Sequence, residues 1–181
     1  MGIQLQQSGL LSLTPNTIIL NVKVHFSLFW KLGVLGLEQP SNLQHASAFP
    51  RVVSVLQGSK VVQVECGAYH TMALTEDREV YSWGKGSNGR LGHGIEDDEV
   101  LPRRIESLRK HRIVSIAAGY DHSAAVSEDG RLWMWGHGGW HQLGTANKKD
   151  LLSPAQINIE CNVKQISCGG WSYLYGPGHP P

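Results

Sequence analysis

Three stretches of this sequence carry residue types at spacings that could do chemistry. Gly84-x-Gly86-x-x-Gly89 spells the glycine fingerprint of a dinucleotide site. That fingerprint works only where a strand turns into a helix whose N-terminal amides meet a pyrophosphate. Arg90-Leu91-Gly92-His93-Gly94 follows instead, which does not read as a helix, so the glycines are read as turn formers and no cofactor is expected. His137 and His141 are four apart, with His93 upstream. Imidazoles at that spacing hold zinc when a helix places both on one face. These lie in a loop, without cysteine or carboxylate ligands at regular spacing, so no metal is expected. The third stretch is an acidic run, Glu96-Asp97-Asp98-Glu99, followed by Arg103, Arg104, Arg109, Lys110 and Arg112. It reads as a solvated loop or as a docking surface, with Glu96, Asp97, Asp98, Glu99, Arg103 and Arg104 as the candidate docking residues. No Ser/His/Asp or Cys/His arrangement marks a nucleophile, and no carboxylate pair stands out for acid–base work. The chain is not expected to be an enzyme.

The bulk composition narrows the partners. The 181 residues are enough for one ordinary domain with a sizeable core. Sixteen basic and 15 acidic residues leave a net charge of +1, which gives no overall drive toward nucleic acid or an anionic membrane. The 41% apolar fraction excludes simple disorder, and 21 glycines, against about 13 expected at ~7%, make the chain turn-rich. Cys66, Cys161 and Cys168 are too few and scattered for a disulfide framework, and an odd count fits a reducing compartment. No secretory pattern is read at the N-terminus. The most apolar stretch, Ile18 to Leu37, is broken by Asn21, Lys23, His25 and Lys31, so no bilayer span is expected. The expected location is intracellular, in cytoplasm, nucleus or both.

The element that must position these loops is a repeat. Cys66-Gly67-Ala68-Tyr69-His70-Thr71 returns as Ala118-Gly119-Tyr120-Asp121-His122-Ser123, at an offset of 52. Trp83-Gly84 returns as Trp135-Gly136, Leu91-Gly92 as Leu143-Gly144 and Leu101-Pro102 as Ser153-Pro154, each again 52 apart. Pro50-Arg51-Val52 precedes Pro102-Arg103-Arg104 by the same interval. A third start, Cys168-Gly169-Gly170-Trp171-Ser172, lies 50 beyond the second. One shared interval over glycines, tryptophans and a proline marks a repeat architecture.

Each unit reads as short strands. Val62, Val64 and Cys66 alternate with polar neighbours, as do Val114, Ile116 and Ala118, which predicts half-buried strands. Second strands are expected at His70–Thr75 and His122–Ser127, and third strands at Glu79–Trp83 and Arg131–Trp135. Glu128-Asp129-Gly130 is a tight turn in which the glycine can take positive φ. Arg78 is its equivalent in the first unit and would carry strain of order 1 kcal/mol in a left-handed backbone. Fourth strands are expected after Pro102 and Pro154. Four strands in a unit of ~50 residues make one blade of a propeller.

Trp83-Gly84-Lys85-Gly86-Ser87-Asn88-Gly89-Arg90-Leu91-Gly92 resembles the W-G-x-G-x-x-G-x-L-G core of the regulator of chromosome condensation repeat. The Cys-Gly-x-x-His starts, the Glu-Asp-Gly turn and the downstream prolines agree, over residues 50 to 172. The second unit departs from it at Trp140 and His141. Kelch repeats share the period, but they expect a glycine doublet before spaced Tyr and Trp, which the two full units do not show. The resemblance implies an all-β fold, a β-propeller of four-stranded blades. A full ring of seven needs roughly 357 positions at ~51 each, so this chain is expected to form a partial, incomplete ring, as a fragment, an isoform or a truncated gene model. An open arc should expose strand edges and apolar blade faces.

Three regions are expected. Residues 1–49 form an atypical segment with a degenerate blade end at Trp30–Gly36. Residues 50–172 hold the repeats, with full units at about 60–111 and 112–162 and a third begun at 163. Residues 173–181 are an irregular Pro/Gly tail. The repeat signature assigns structural roles to Gly67, His70, Trp83, Gly84, Leu91 and Gly92, to Gly119, His122, Trp135, Gly136, Leu143 and Gly144, and to Gly169. His70 and His122 are expected to join small networks with the hydroxyls of Thr71 and Ser123. Among Trp133, Trp135, Trp140 and Trp171, those at repeated positions are expected to be wedges between blades. One plant branch of the family absorbs light through repeated Gly-Trp-Arg-His-Thr strings; this chain has a single Gly170-Trp171-Ser172-Tyr173, so photoreception is not expected. The resemblance implies a protein-interaction module. The alternative is guanine-nucleotide exchange on a Ran-type small GTPase, with chromatin as a further partner, and no wedge-like insertion interrupts Val62–Ile105 or Val114–Ile157.

Overall fold

A computed structural model describes residues 52–160 and 162–169. The degenerate blade end at Trp30–Gly36, Trp171 and the tail lie outside the described residues. Two four-stranded antiparallel sheets follow one another. The first runs β1 (Val61–Cys66), β2 (His70–Thr75), β3 (Val80–Gly84) and β4 (Glu99–Arg104); the second runs β5 (Ile113–Ala118), β6 (His122–Ser127), β7 (Leu132–Gly136) and β8 (Leu151–Ile157). Each sheet pairs its strands in chain order, as a propeller blade does. The fold is all-β and the ring is open, a partial propeller.

β2 and β6 are buried at all six positions rather than alternately. A central strand with a packed layer on each face has no solvent side, so the period-2 signature vanishes where the strand is most deeply set. The core between the blades joins Met72, Leu74 and Val80 of the first sheet to Ile113, Ile116, Ala125 and Trp135 of the second. The single-turn 3-10 segment Glu106–Leu108 plugs it with Leu108, next to Ile105. The equivalent turn Ser54–Leu56 places Leu56 and Val53 against Ala73 and Trp83 on the far side of the first sheet. The third copy of this plug, Ile157-Asn158-Ile159-Glu160, has Glu160 where the others have leucine, and Ile159 is 41% exposed.

Several local expectations shift. The alternation in β1 and β5 has a different phase: Val62 is exposed, whereas Val61 and Val64 pack on the core, and Ile113 and Ile116 are the fully buried pair. A bulge between Val61 and Gln63, repeated between Ile113 and Ser115, inserts one residue and changes which side chains face inward. The bulge also frees the Gln63 amide to act as a piece of strand. Its Nε2 donates to Ile116 O at 2.8 Å and its Oε1 accepts from Ile116 N at 3.0 Å, joining β1 to β5. The third strands begin and end one residue later than read, at Val80–Gly84 and Leu132–Gly136. Pro102 and Pro154 lie inside the fourth strands, not before them, which is permissible because β4 and β8 are the edge strands of their sheets among the described residues.

The blade faces are less bare than an open arc suggests. Ala73 and Trp83, on the outer side of the first sheet, are both 0% exposed, and Ala124 and Val126, the equivalents of Met72 and Leu74, are 2% and 1% exposed. Val163 N–H bonds to Gly130 O at 2.9 Å, which lays the segment after β8 back along the second sheet. The turn comparison holds: Arg78 has φ 67° and Gly130 φ 81°.

Candidate functional site

Because the strands alternate in direction, the loops 67–69, 85–98, 119–121 and 137–150 all leave the sheets at one end. The two long loops are built alike. A Cβ on Gly86 would lie 1.9 Å from Asp97 O, and one on Gly138 would lie 2.0 Å from Lys149 O, so each loop folds flat against its own glycine. Asp98 Oδ1 accepts from Gly86 N–H at 2.9 Å, and Asp150 Oδ1 accepts from Gly138 N–H at 2.8 Å. Burial acts to raise both carboxyls, but these amides, with Lys85 beside Asp98 and with Asn88 and His137 beside Asp150, hold both below the usual range. Asn88 Nδ2 reaches Asp150 Oδ2 at 2.9 Å and ties one long loop to the other. The segment Gly84–Gly89 thus ends in a three-residue 3-10 turn, Ser87–Gly89, and its glycines serve close approaches.

The signature residues join the blades. His70 Nε2 bonds Ser123 Oγ at 2.8 Å, and Ser123 Oγ donates to Arg90 O at 2.9 Å. Trp135 Nε1 donates to the same carbonyl at 2.9 Å. The expected partner for His70 is the adjacent Thr71; the observed one is the hydroxyl of the next blade, since β2 packs on β5 and the His70 ring reaches past it to Ser123 of β6. A Cβ on Gly67 would lie 2.5 Å from His70 Cε1, and one on Gly119 2.3 Å from His122 Cε1, so glycine makes room for both rings. Leu91 and Leu143 are both 0% exposed, and Gly84, Gly92, Gly136 and Gly144 all hold positive φ at loop corners. Gly169 lies in the segment 162–169, which holds no strand among the described residues.

Around this joint lies a polar cluster that sequence reasoning missed. The Arg90 side chain is 5% exposed, and its Nη1 lies 2.6 Å from Asp121 Oδ1 as an ion contact outside hydrogen-bond alignment. Its Nε donates to Ser87 O at 2.8 Å, and its guanidinium carbon sits 5.4 Å from the centre of the Tyr69 ring. Tyr69 and Tyr120 meet edge to face at 5.4 Å, with their hydroxyls 3.0 Å apart. Asp121 stands where the first unit has Tyr69, so a strict repeat comparison conceals the cluster; only the blade geometry brings them to one arginine.

The candidate docking residues separate. Asp98 belongs to the loop framework and pairs with Lys85 at 3.1 Å. Glu96 accepts from Asn88 N–H at 2.8 Å while remaining exposed, and Asp97 is exposed beside it. Glu99 and Arg103 pair with each other at 2.6 Å along β4, and Arg104 pairs with Glu79 at 2.6 Å and Glu106 at 2.7 Å near the opposite end of the sheet. The six residues therefore form no single patch. His137 bonds Asp150 at 2.8 Å, His141 Thr145 O at 3.3 Å and His93 Ser82 Oγ at 3.0 Å, so the three imidazoles serve three different partners. Trp83 and Trp135 are both fully buried, Trp135 in the core between the two sheets and Trp83 on the far side of the first, while Trp133 packs on the His111 ring at 4.1 Å and Trp140 is 55% exposed on the loop 137–150.

The sequence matches the family model of the Regulator of chromosome condensation (RCC1) repeat at residues 31–74, 77–126 and 129–174. Residues 77–126 supply β3 and β4 of one sheet and β5 and β6 of the next, so the sequence unit straddles two blades. The Arabidopsis thaliana Ultraviolet-B receptor UVR8 is 38% identical over 122 residues, 66% of this chain and 28% of that protein. The Arabidopsis thaliana RCC1 domain-containing protein RUG3, mitochondrial, is 40% identical over 123 residues, 65% of this chain and 28% of its own length. The solved Prp20p of Saccharomyces cerevisiae, described with its binding properties to Gsp1p and histones, superposes with a TM-score of 0.70 at 21% identity, over 86% of this chain and 38% of its own. The chain thus spans under a third of these two curated relatives.

Proposed function

This chain belongs to the Regulator of chromosome condensation (RCC1) repeat family, and from that premise we propose that it is a β-propeller module that docks protein partners through the loops 67–69, 85–98, 119–121 and 137–150. The observation that carries this reading is Trp140, 55% exposed on a loop whose frame is fixed by Asp150. Tryptophan is the residue type most concentrated at binding hot spots, and a pinned loop presents it with little ordering cost on binding. Asp98, Asp150 and Asn88 are engaged in holding the loops, which suits a rigid platform that works by binding, inside the cell, without chemistry of its own.

A photo-cross-linking amino acid at position 140, compared with one at Arg78 on the opposite end of the sheets, tests the reading in cells. Protein adducts concentrated at position 140 are expected. Equal labelling from both positions, or none from 140, overturns it.

A second reading is guanine-nucleotide exchange on a Ran-type GTPase, supported by the likeness to Prp20p with its binding to Gsp1p. Such a factor works by stabilising the nucleotide-free GTPase. Release of a fluorescent nucleotide from the GTPase should accelerate on adding the purified chain; an unchanged rate removes this reading for this polypeptide.

A further inference from the structure

The two long loops on this face are the same structure with opposite charge. At the offset of 52, Glu96 corresponds to Lys148, Asp97 to Lys149 and Asp98 to Asp150. The third position is an aspartate in both because it caps the loop glycine, through Gly86 N–H at 2.9 Å and Gly138 N–H at 2.8 Å. The first two positions are solvent-exposed on both blades. Blade one therefore presents two carboxylates where blade two presents two ammonium groups, and the Asn88–Asp150 bond of 2.9 Å fixes the two ridges side by side. Beside them stand exposed Ile95 (41%) and Trp140 (55%), one on each long loop.

We propose that this face pairs with the same face of a second copy of the chain. The proposal rests on the reading above that this face docks proteins. Neighbouring ridges of opposite sign are self-complementary under one two-fold operation. With the axis in the contact plane and parallel to the boundary between the ridges, the acidic ridge of each copy lies over the basic ridge of the other. Turning the axis by a right angle sets like over like and is repelled, so the charges also select the orientation.

Sedimentation of the full chain, in wild-type form and with exchanged charges, tests this. Wild-type chain should self-associate, with a dissociation constant rising about tenfold or more between about 0.05 and about 0.5 M salt, where the screening length shortens severalfold. Glu96→Lys with Asp97→Lys makes both ridges basic; Lys148→Glu with Lys149→Glu makes both acidic. Each variant alone should sediment as a monomer, and an equimolar mixture of the two should regain association. Glu96 accepts an exposed bond from Asn88 N–H. If that variant loses its strand circular dichroism, the milder Asp97→Lys and Lys149→Asp pair carries the same mixing test. A wild-type chain that stays monomeric at about 100 µM and low salt, where a functional rim contact should be populated, overturns the proposal. So does a dimer indifferent to the exchanges, or a mixture that fails to associate. Only this chain is present, so failure here leaves the cross-linking from position 140 to decide docking of other proteins.

Discussion

The imidazole of His70 bonds the hydroxyl of Ser123 at 2.8 Å, across the interface between two blades and 53 residues away in sequence. The proton positions follow from counting. Ser123 has one hydroxyl hydrogen, and Arg90 O at 2.9 Å can only accept, so that hydrogen is directed there. His70 must then donate from Nε2, which fixes the neutral tautomer and leaves Nδ1 as a buried lone pair without a hydrogen-bond partner among the described residues. A proton at Nδ1 would be stranded. Burial, then the nearby Arg90 charge and His122, push the His70 pKa down to about 3.

A pH dependence follows from that displacement. Below its ordinary value near 6.5, the unfolded-state histidine takes up a proton that the folded state refuses, so stability is full above that pH and is lost as pH falls toward about 3. His93 and His122, also held down by burial, act in the same direction. Denaturant titrations of the wild-type chain should lose up to about 1.4 kcal/mol per pH unit for His70 in this window. His70→Gln, which keeps a donor and removes the titration, should show a shallower slope; an identical slope would relocate the effect to the other histidines.

Trp135 differs from an ordinary apolar wedge because its Nε1–H donates to Arg90 O at 2.9 Å. Trp135→Phe keeps most of the ring volume and removes only the donor. Its expected loss is about 1–2 kcal/mol, against about 3–5 kcal/mol for Trp135→Ala, which also opens a cavity. A Trp135→Phe variant as stable as wild type in thermal or denaturant unfolding would assign the whole effect to packing.

Arg78 occupies the turn position that Gly130 holds in the second blade, at φ 67°. The left-handed region costs a side-chain-bearing residue about 1–2 kcal/mol, and introducing glycine returns about 0.4–1 kcal/mol of freedom to the unfolded chain. Arg78→Gly should therefore stabilise the protein by about 0.5–1 kcal/mol. A destabilised variant would mean that the arginine side chain contributes more than its backbone loses.

Much of this fold was legible because a repeat states its design twice. The second strands at His70–Thr75 and His122–Ser127, the left-handed Arg78 and the buried Trp83 and Trp135 all followed from equivalent positions. What escaped was whatever differs between copies or passes from one blade to the next. Asp121 and Tyr69 are equivalent positions doing unlike things, and Gln63 bonds Ile116 where the next unit has Ser115, so neither could be recovered by matching one unit to another. The bulges after Val61 and Ile113 moved the inward phase, which alternation alone does not reveal. The docking run divides for a further reason: its charges are contiguous in sequence but pass from the loop 85–98 along β4, whose two ends are at opposite ends of the sheet.

The Arg90–Asp121 contact offers the sharpest test of how the two blades are held in register. Its charges lie 2.6 Å apart with side chains 5% and 19% exposed, and burial lowers the Arg90 pKa against the opposing pull of Asp121. Removing one partner leaves a largely desolvated charge, so Asp121→Asn should cost about 3 kcal/mol, as should Arg90→Met, which retains much of the stem packing over Tyr69. The double variant should recover part of the loss, because it buries no unpaired charge. A coupling energy above about 1 kcal/mol in that double-mutant cycle is expected for a contact this close. Strictly additive losses would mean that Arg90 acts through its bond to Ser87 O at 2.8 Å and its ring contact with Tyr69, and that Asp121 holds its own turn.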